Sequence, residues 1–454
     1  MFLGGITMEQ EKSFFRTVCN LAIPVALQSM LQASFSIIDQ IMIGQLGSVS
    51  VAGVGLAGKF SSVFSVLASA IGAVAGIMIS QYMGKKNKRE VRRSFFINLI
   101  IAIGLAGIFT VLCIAFPRQI MGLYTQDEAT LLTAAGYLTI LAGTFLLIAG
   151  ATLLSTLFRC MEKASLPLYA SILAAFLNTG LNYILIFGKL GIAPMGAEGA
   201  AIATTVSQVA NFLLMLLLLL KYRECLQKET GREQDHTRFD WMQYASMLLP
   251  VLVCELMWSL GENVYAGIYG HLGTEACAAM TLINPVQGLM IGALCGLSQA
   301  AGVLIGKTLG KAEYERAYQD AKKLIFYGFA GSLLLSVLIV LTRSYYVELY
   351  QVEESVKRLT KQILIAYAVI APLKVQNMIV SGGIIRSGGR TKYVMLIDLI
   401  GTWLFGVPLG LLAAFVLELS IPYVYFILSL EECIRFGISL IVLKRKKWMQ
   451  SLNA

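Results

Sequence analysis

The sequence predicts an all-α integral membrane protein: twelve transmembrane helices in two parallel six-helix bundles. Of its 454 residues 57% are hydrophobic and 14% charged, against about 25% charge in a soluble domain. Apolar runs of about 20 residues, each able to cross roughly 30 Å of hydrocarbon, recur along the whole chain. The chain also repeats itself at a shift of 226 residues.

In the first half, the apolar runs place helices at 19–44, 51–81, 94–116, 132–157, 168–187 and 197–220. The polar segment KYRECLQKETGREQDHTRFD then interrupts the pattern. In the second half the runs fall at 243–269, 276–305, 324–341, 361–383, 392–416 and 421–443. The expected organisation is a bundle over 1–220, a linker over 221–241, and a second bundle over 242–454 ending in the basic KRKK segment. No long polar stretch leaves room for a soluble domain. The N-terminal MFLGGITMEQEKSFFRT lacks a cleavable signal pattern.

The repeat lays residues 23–86 on 249–312 without a gap. Pro24 falls on Pro250, Gly44 on Gly270, Leu46-Gly47 on Leu272-Gly273, Gly76 on Gly302 and Gly84-Lys85 on Gly310-Lys311. Matched proline and glycine punctuation in one register separates this from chance apolar similarity. Each repeat holds an even number of spans, so both halves enter the membrane in the same direction. They are related by an axis along the membrane normal. The prolines near the starts of helices 1 and 7 begin or bend those helices.

Net charge is +10, but the basic residues sit in short loops between apolar runs. That is a topology signal, not a nucleic-acid face. With the N-terminus inside, 27 Lys and Arg fall on inner segments and six on outer ones. The six are Arg118, Lys189, Arg343, Lys357, Arg358 and Lys361. This bias places both termini and the linker in the cytoplasm, with the protein in the plasma membrane. The eight cysteines form no CxxC pair and read as small apolar packers. His236 and His271 are too far apart in sequence to suggest a metal site.

Ionisable residues inside transmembrane helices cost at least about 2.5–3.5 kcal/mol and mark candidate sites. Asp39 lies inside helix 1. Asn178 and Asn182 are one turn apart on helix 5 and share a face, and Thr204 lies on helix 6. A carboxylate with amide and hydroxyl oxygens suits a hard cation such as Na⁺, or a proton. The alternative for these residues, Asp39 included, is hydrogen bonding between helices, though such bonding seldom needs a full charge. Lys59 either pairs with Asp39 or extends outward. In the second bundle Glu255, Lys374, Asp398, Glu431, Glu432 and Arg435 bring both signs to similar depth on helices 7, 10, 11 and 12. They are expected to form one network, either coupled to transport or a static set of ion pairs. Lys374 and Glu255 are expected to interact. Under the repeat, Asp39 falls on Tyr265 and Glu255 on Ser29, so the bundles place charge differently.

The segments IPVALQSMLQASFSIIDQIMIGQLG, LNTGLNYILIFG with GAEGAAIATTVSQ, IYGHLGTEA, and SGGIIRSGGRTKYVMLIDLIGTWLFGVPLG together resemble the multidrug and toxic compound extrusion (MATE) family. The resemblance spans nearly the whole chain. It implies a V-shaped pair of bundles exporting organic, often cationic, compounds on a Na⁺ or H⁺ gradient. It also implies a first-bundle cation site at Asp39, Asn178, Asn182 and Thr204. Some members carry a helix-10 carboxylate eleven residues before the loop arginine. Here that position is Val375, beside Lys374, so a second-bundle Na⁺ site of that kind is not expected.

The expected protein is a secondary antiporter working as a monomer in the bilayer, with a small-molecule substrate and H⁺ or Na⁺. No cofactor, nucleic acid or catalytic residue is expected, and no metal beyond Na⁺ at Asp39. HExxH, GxSxG and nucleotide-binding loops are absent from the sequence. A lipid-linked oligosaccharide or lipid flippase of the same superfamily is the alternative. It would favour a wide cationic cavity, whereas basic residues within these helices are few. Single-cysteine labelling of intact cells should find position 230 protected and position 273 reactive; the reverse pattern overturns the topology.

Overall fold

The computed structural model describes residues 2–222, 239–350 and 352–452, with side chains from residue 13 onward. Most of the linker, including position 230, lies outside the described residues. Every element among the described residues is helical. The first six spans are α1 (Phe2–Gly44), α2 (Ser48–Gly84), α3 (Lys88–Ala115), α4 (Glu128–Leu141 with Thr144–Cys160), α5 (Ser165–Phe187) and α6 (Gly196–Lys221). The next six are α7 (Trp241–His271), α8 (Thr274–Gly310), α9 (Tyr314–Glu348), α10 (Glu354–Ile385), α11 (Thr391–Val416) and α12 (Ile421–Ser429 with Glu431–Lys444). Ten of these are single helices long and apolar enough to cross a membrane.

The sequence reading treated α4 and α12 as unbroken. The structure bends α4 by 50° at Ala142-Gly143. The carbonyls freed there are recaptured: Thr144 Oγ1 donates to Leu141 O at 2.7 Å and Thr110 Oγ1 to Ala142 O at 2.9 Å. In hydrocarbon such recapture is obligatory. α12 breaks at Leu430, immediately before Glu431 and Glu432. α10 widens into π-helical turns over Met378–Ile385, and α11 over Ile400–Gly406 and Leu412–Val416. Ser298 Oγ donates to Met378 O at 2.6 Å where the wide turn of α10 begins. Gly273, between α7 and α8, has φ +106, so the adjoining Thr274 is the better labelling position.

The chain packs as two compact units. One comprises Leu27–Ile79 and Asn87–Glu233. Its interior holds a cluster of tilted and edge-on rings, Phe64, Phe109 and Phe145, with Phe64 and Phe145 centroids 4.8 Å apart. Gly199 lets α6 approach the α5 backbone, since a Cβ there would stand 2.9 Å from Leu185 O.

The other unit comprises Met1–Ala26, Ser80–Lys86 and Gln234–Ala454. Within it the end of α2 lies against α8 in a reciprocal contact. A Cβ on Gly84 would collide with Lys307 O, and one on Gly310 with Gln81 O. Residues 81 and 307 are themselves repeat mates, so each glycine opposes the mate of the residue facing the other. This is small-residue packing between helices, with Ser80-x-x-x-Gly84 against Gly306-x-x-x-Gly310. A further strap secures it. Gln81 Nε2 donates to Ser387 O at 2.7 Å, and Leu452 N donates to Gln81 Oε1 at 2.7 Å. Lys85 donates to Leu452 O, and Trp448 beside them is fully buried.

Gly310→Ala forces overpacking against backbone, which costs about 1–3 kcal/mol. Thermal unfolding in detergent should show a lower midpoint for Gly310→Ala and none for Gly267→Ala, whose Cβ meets nothing within 4 Å. Equal midpoints would remove the contact's importance.

Candidate functional site

The first candidate site lies in the unit built around α3–α6. Asn182 on α5 donates from Nδ2 to Asp39 Oδ1 at 2.7 Å. The α-helical pitch brings Asn178 onto the same face. Its Nδ2 donates to both Asp39 oxygens, at 2.9 and 3.0 Å, and its Oδ1 accepts from Thr204 Oγ1 at 3.3 Å. Asn182 Oδ1 is buried without a hydrogen-bond partner among the described residues, an acceptor left available beside the carboxylate.

All four predicted residues therefore meet. Tyr137 on α4 joins them, buried and close to Thr204 and Asp39. Sequence reasoning missed it, because a tyrosine among apolar neighbours carries no positional signal. Lys59 is exposed and forms no ion pair with Asp39 among the described residues, which favours its outward extension.

The second site lies in the other unit. Arg435 on α12 pairs with Asp398 on α11, and its Nη1 stands 3.5 Å from Glu432 Oε2. Asn377 Nδ2, at the mouth of the wide turn in α10, donates to Glu432 Oε2 at 2.7 Å and to Glu432 O at 2.8 Å. Cys254 donates to Asp398 Oδ2 at 2.7 Å, a polar role beyond simple packing. Tyr265 donates to Glu431 Oε2 at 2.6 Å. Two glycines in α11 make this possible: a Cβ on Gly401 would displace the Arg435 side chain, and one on Gly406 would fill the Tyr265–Glu431 contact.

Glu255 does not pair with Lys374. Its partner is Arg386, at 3.3 Å. The sequence reading put Arg386 in a loop, whereas the helix runs on through the wide turns of α10 and carries that side chain back toward α7. Lys374 forms no salt bridge among the described residues. Lys374, Tyr367 and Glu432 line two cavities of about 270 and 290 Å³. One is reached by Glu262, Tyr265 and Tyr425, the other by Glu255, Arg386 and Asp398.

A helical membrane protein built from two repeats, each with ionisable side chains held inside its spans, has a build common among transporters. The MatE family model matches both halves, over residues 24–184 and 250–412. The chain belongs to the MatE family. It is similar to the uncharacterized transporter YisQ of Bacillus subtilis, 21% identical, with 94% of this chain and 92% of that protein covered. A probable multidrug resistance protein NorM of Thermotoga maritima is 22% identical, with 99% and 96% covered. Among solved structures, a mutant of the Vibrio cholerae MATE transporter VcmN shares the fold. Its TM-score is 0.86 at 17% identity, with 96% of this chain and 97% of that chain covered.

The geometry reassigns the expected coupling in the second site. A double-mutant cycle of Glu255→Gln with Arg386→Gln should give an interaction of about 0.5–3 kcal/mol in unfolding free energy. Glu255→Gln with Lys374→Ala should be closer to additive. The opposite ranking would restore the Glu255–Lys374 pairing.

Proposed function

We propose that this protein is a secondary antiporter that exports small organic, cationic and amphipathic compounds in exchange for a cation taken up at Asp39. It works as a monomer in the plasma membrane, with bundles 1–220 and 242–454 and both termini in the cytoplasm. The single observation that carries the coupling role is the Asp39 cluster. It is a carboxylate inside a span, held by the amides of Asn182 and Asn178, with the Asn182 amide oxygen left without a partner among the described residues. Such a group changes its hydrogen bonds when its charge changes: ionised, it accepts from both amides; protonated, it donates, and one amide turns its oxygen to it.

H⁺ suits this cluster better than Na⁺. One carboxylate and a few neutral oxygens make a weak cage for a hard cation, and Asn182 points a donor, not an acceptor, at Asp39. The names of the similar proteins support multidrug efflux as the activity. The second site, with its carboxylates already bonded by Arg435, Asn377 and Tyr265, suits a structural or conformational part rather than primary loading.

Asp39→Asn keeps the shape and removes the charge. In proteoliposomes loaded with a cationic dye, it should abolish gradient-driven transport while the protein still expresses and still binds dye. Full transport by the Asn variant overturns the role of Asp39. Efflux that responds to a Na⁺ gradient at constant pH overturns H⁺ as the coupled ion.

A further inference from the structure

Four of the six outer-side basic residues in the sequence-derived topology converge on one corner of the structure. Arg343, Lys357, Arg358 and Lys361 line a cavity of about 310 Å³ between the end of α9 and the start of α10. Arg343 lies five residues before the end of α9 at Glu348, and Arg358 four after the start of α10 at Glu354. At 1.5 Å rise per residue, both stand about 6–8 Å inside their helix ends, at one depth.

The carboxylates at this corner account for the lysines. Glu348 pairs with Lys361 at 2.8 Å and with Lys357 at 3.2 Å, and Glu354 pairs with Lys357 at 3.0 Å. Glu353 stands exposed just ahead of α10. Arg343 donates to the carbonyl of Val340 in its own helix. Neither Arg343 nor Arg358 has a carboxylate partner among the described residues. Two guanidiniums thus line the cavity with the polar side chains of Ser344 and Gln362. Planar guanidinium forks match the geometry of phosphate oxygens.

The surface leading away from these charges is apolar. Leu333 and Val337 are exposed on the face of α9 that carries Ser344, as are Ile365 and Val369 on the face of α10 that carries Arg358. Ile365 also lines the cavity. Tyr345 is exposed near the same end of α9, at a level where aromatic side chains gather at membrane interfaces.

We propose that this corner binds the phosphate headgroup of an anionic glycerophospholipid, with Arg343 and Arg358 holding the phosphate and the acyl chains lying on the two apolar strips. A soluble phosphate ion shares the charge but makes no use of those strips. The site is defined by side chains at one end of α9 and α10, so it stands apart from the coupling role of Asp39.

The test uses the purified full chain in neutral detergent, titrated with phosphatidylglycerol, phosphatidylcholine or inorganic phosphate. Thermal unfolding and native mass spectrometry read out stability and bound lipid. Phosphatidylglycerol should raise the wild-type midpoint and be retained in the mass spectrum, while phosphatidylcholine and inorganic phosphate should do neither. Arg343→Gln with Arg358→Gln should lose most of that shift and the retained lipid. If the double variant does not fold, Arg358→Gln alone, at an exposed position, should still weaken both. An equal shift in the variants, an equal shift with phosphatidylcholine, or no shift in the wild type overturns the proposal. A shift reproduced by inorganic phosphate assigns a solute site instead and also overturns it.

Discussion

Hydrocarbon offers no hydrogen bonds, so each backbone N–H and C=O inside a span must find its partner within the protein. The irregular points of this fold are where that demand is met. Pro250 leaves the carbonyl four residues earlier without its helical donor, and Thr391 Oγ1 reaches Ser246 O at 3.4 Å and Met247 O at 2.9 Å. Ser298 serves the opened turn of α10, and Trp403 Nε1 reaches Met257 O at 3.1 Å from the wide turns of α11. π-helical turns often mark functional regions. Here those of α10 and the first of α11 adjoin the residues that hold Glu432, Asp398 and Glu431. The departures from ideal helix and the buried charges are two aspects of one solution: widened turns bring donors to carboxylates that lipid would not solvate.

The two repeats keep a common mechanical design and differ in chemistry. At Gly84 and Gly310 the matched positions do matched work, each admitting the backbone of the other helix. At Asp39 and Tyr265 they diverge. One is an acid held by amides, the other a phenol that donates to an acid supplied by α12. The first is held by the amides of Asn178 and Asn182, the second by Arg435, Asn377 and the room left by two glycines of α11.

The twelve spans, their duplication and the Asp39 cluster were legible because each has a local signature. Long apolar runs, matched Pro and Gly, and an acid within such a run need no tertiary information. Asn178 and Asn182 share a face by helical pitch alone. The partners in the second site were not legible, because they depend on turns that leave the α-helical pitch. Arg386 reads as a loop residue until the wide turns of α10 carry it to Glu255, and Asn377 is one amide among many until the same turns aim it at Glu432. Tyr137 and Cys254 are invisible for a different reason: tyrosine and cysteine are ordinary in apolar helices, and only a neighbour gives them a polar task.

The strap beneath α2 has a consequence for the order of assembly. Gln81 and Leu452 are 371 residues apart, and synthesis runs at about 5–20 residues per second. Roughly 20–70 s therefore separate the emergence of the glutamine from that of the backbone group it binds. For that interval the end of α2 must rely on water or on passing contacts for its amide. α8 appears midway and supplies Gly306 and Gly310, but Ser387, Trp448 and Leu452 come only later. The early helix is thus finished by the later chain, whose hydrogen bonds join α2 to the segment that follows α12.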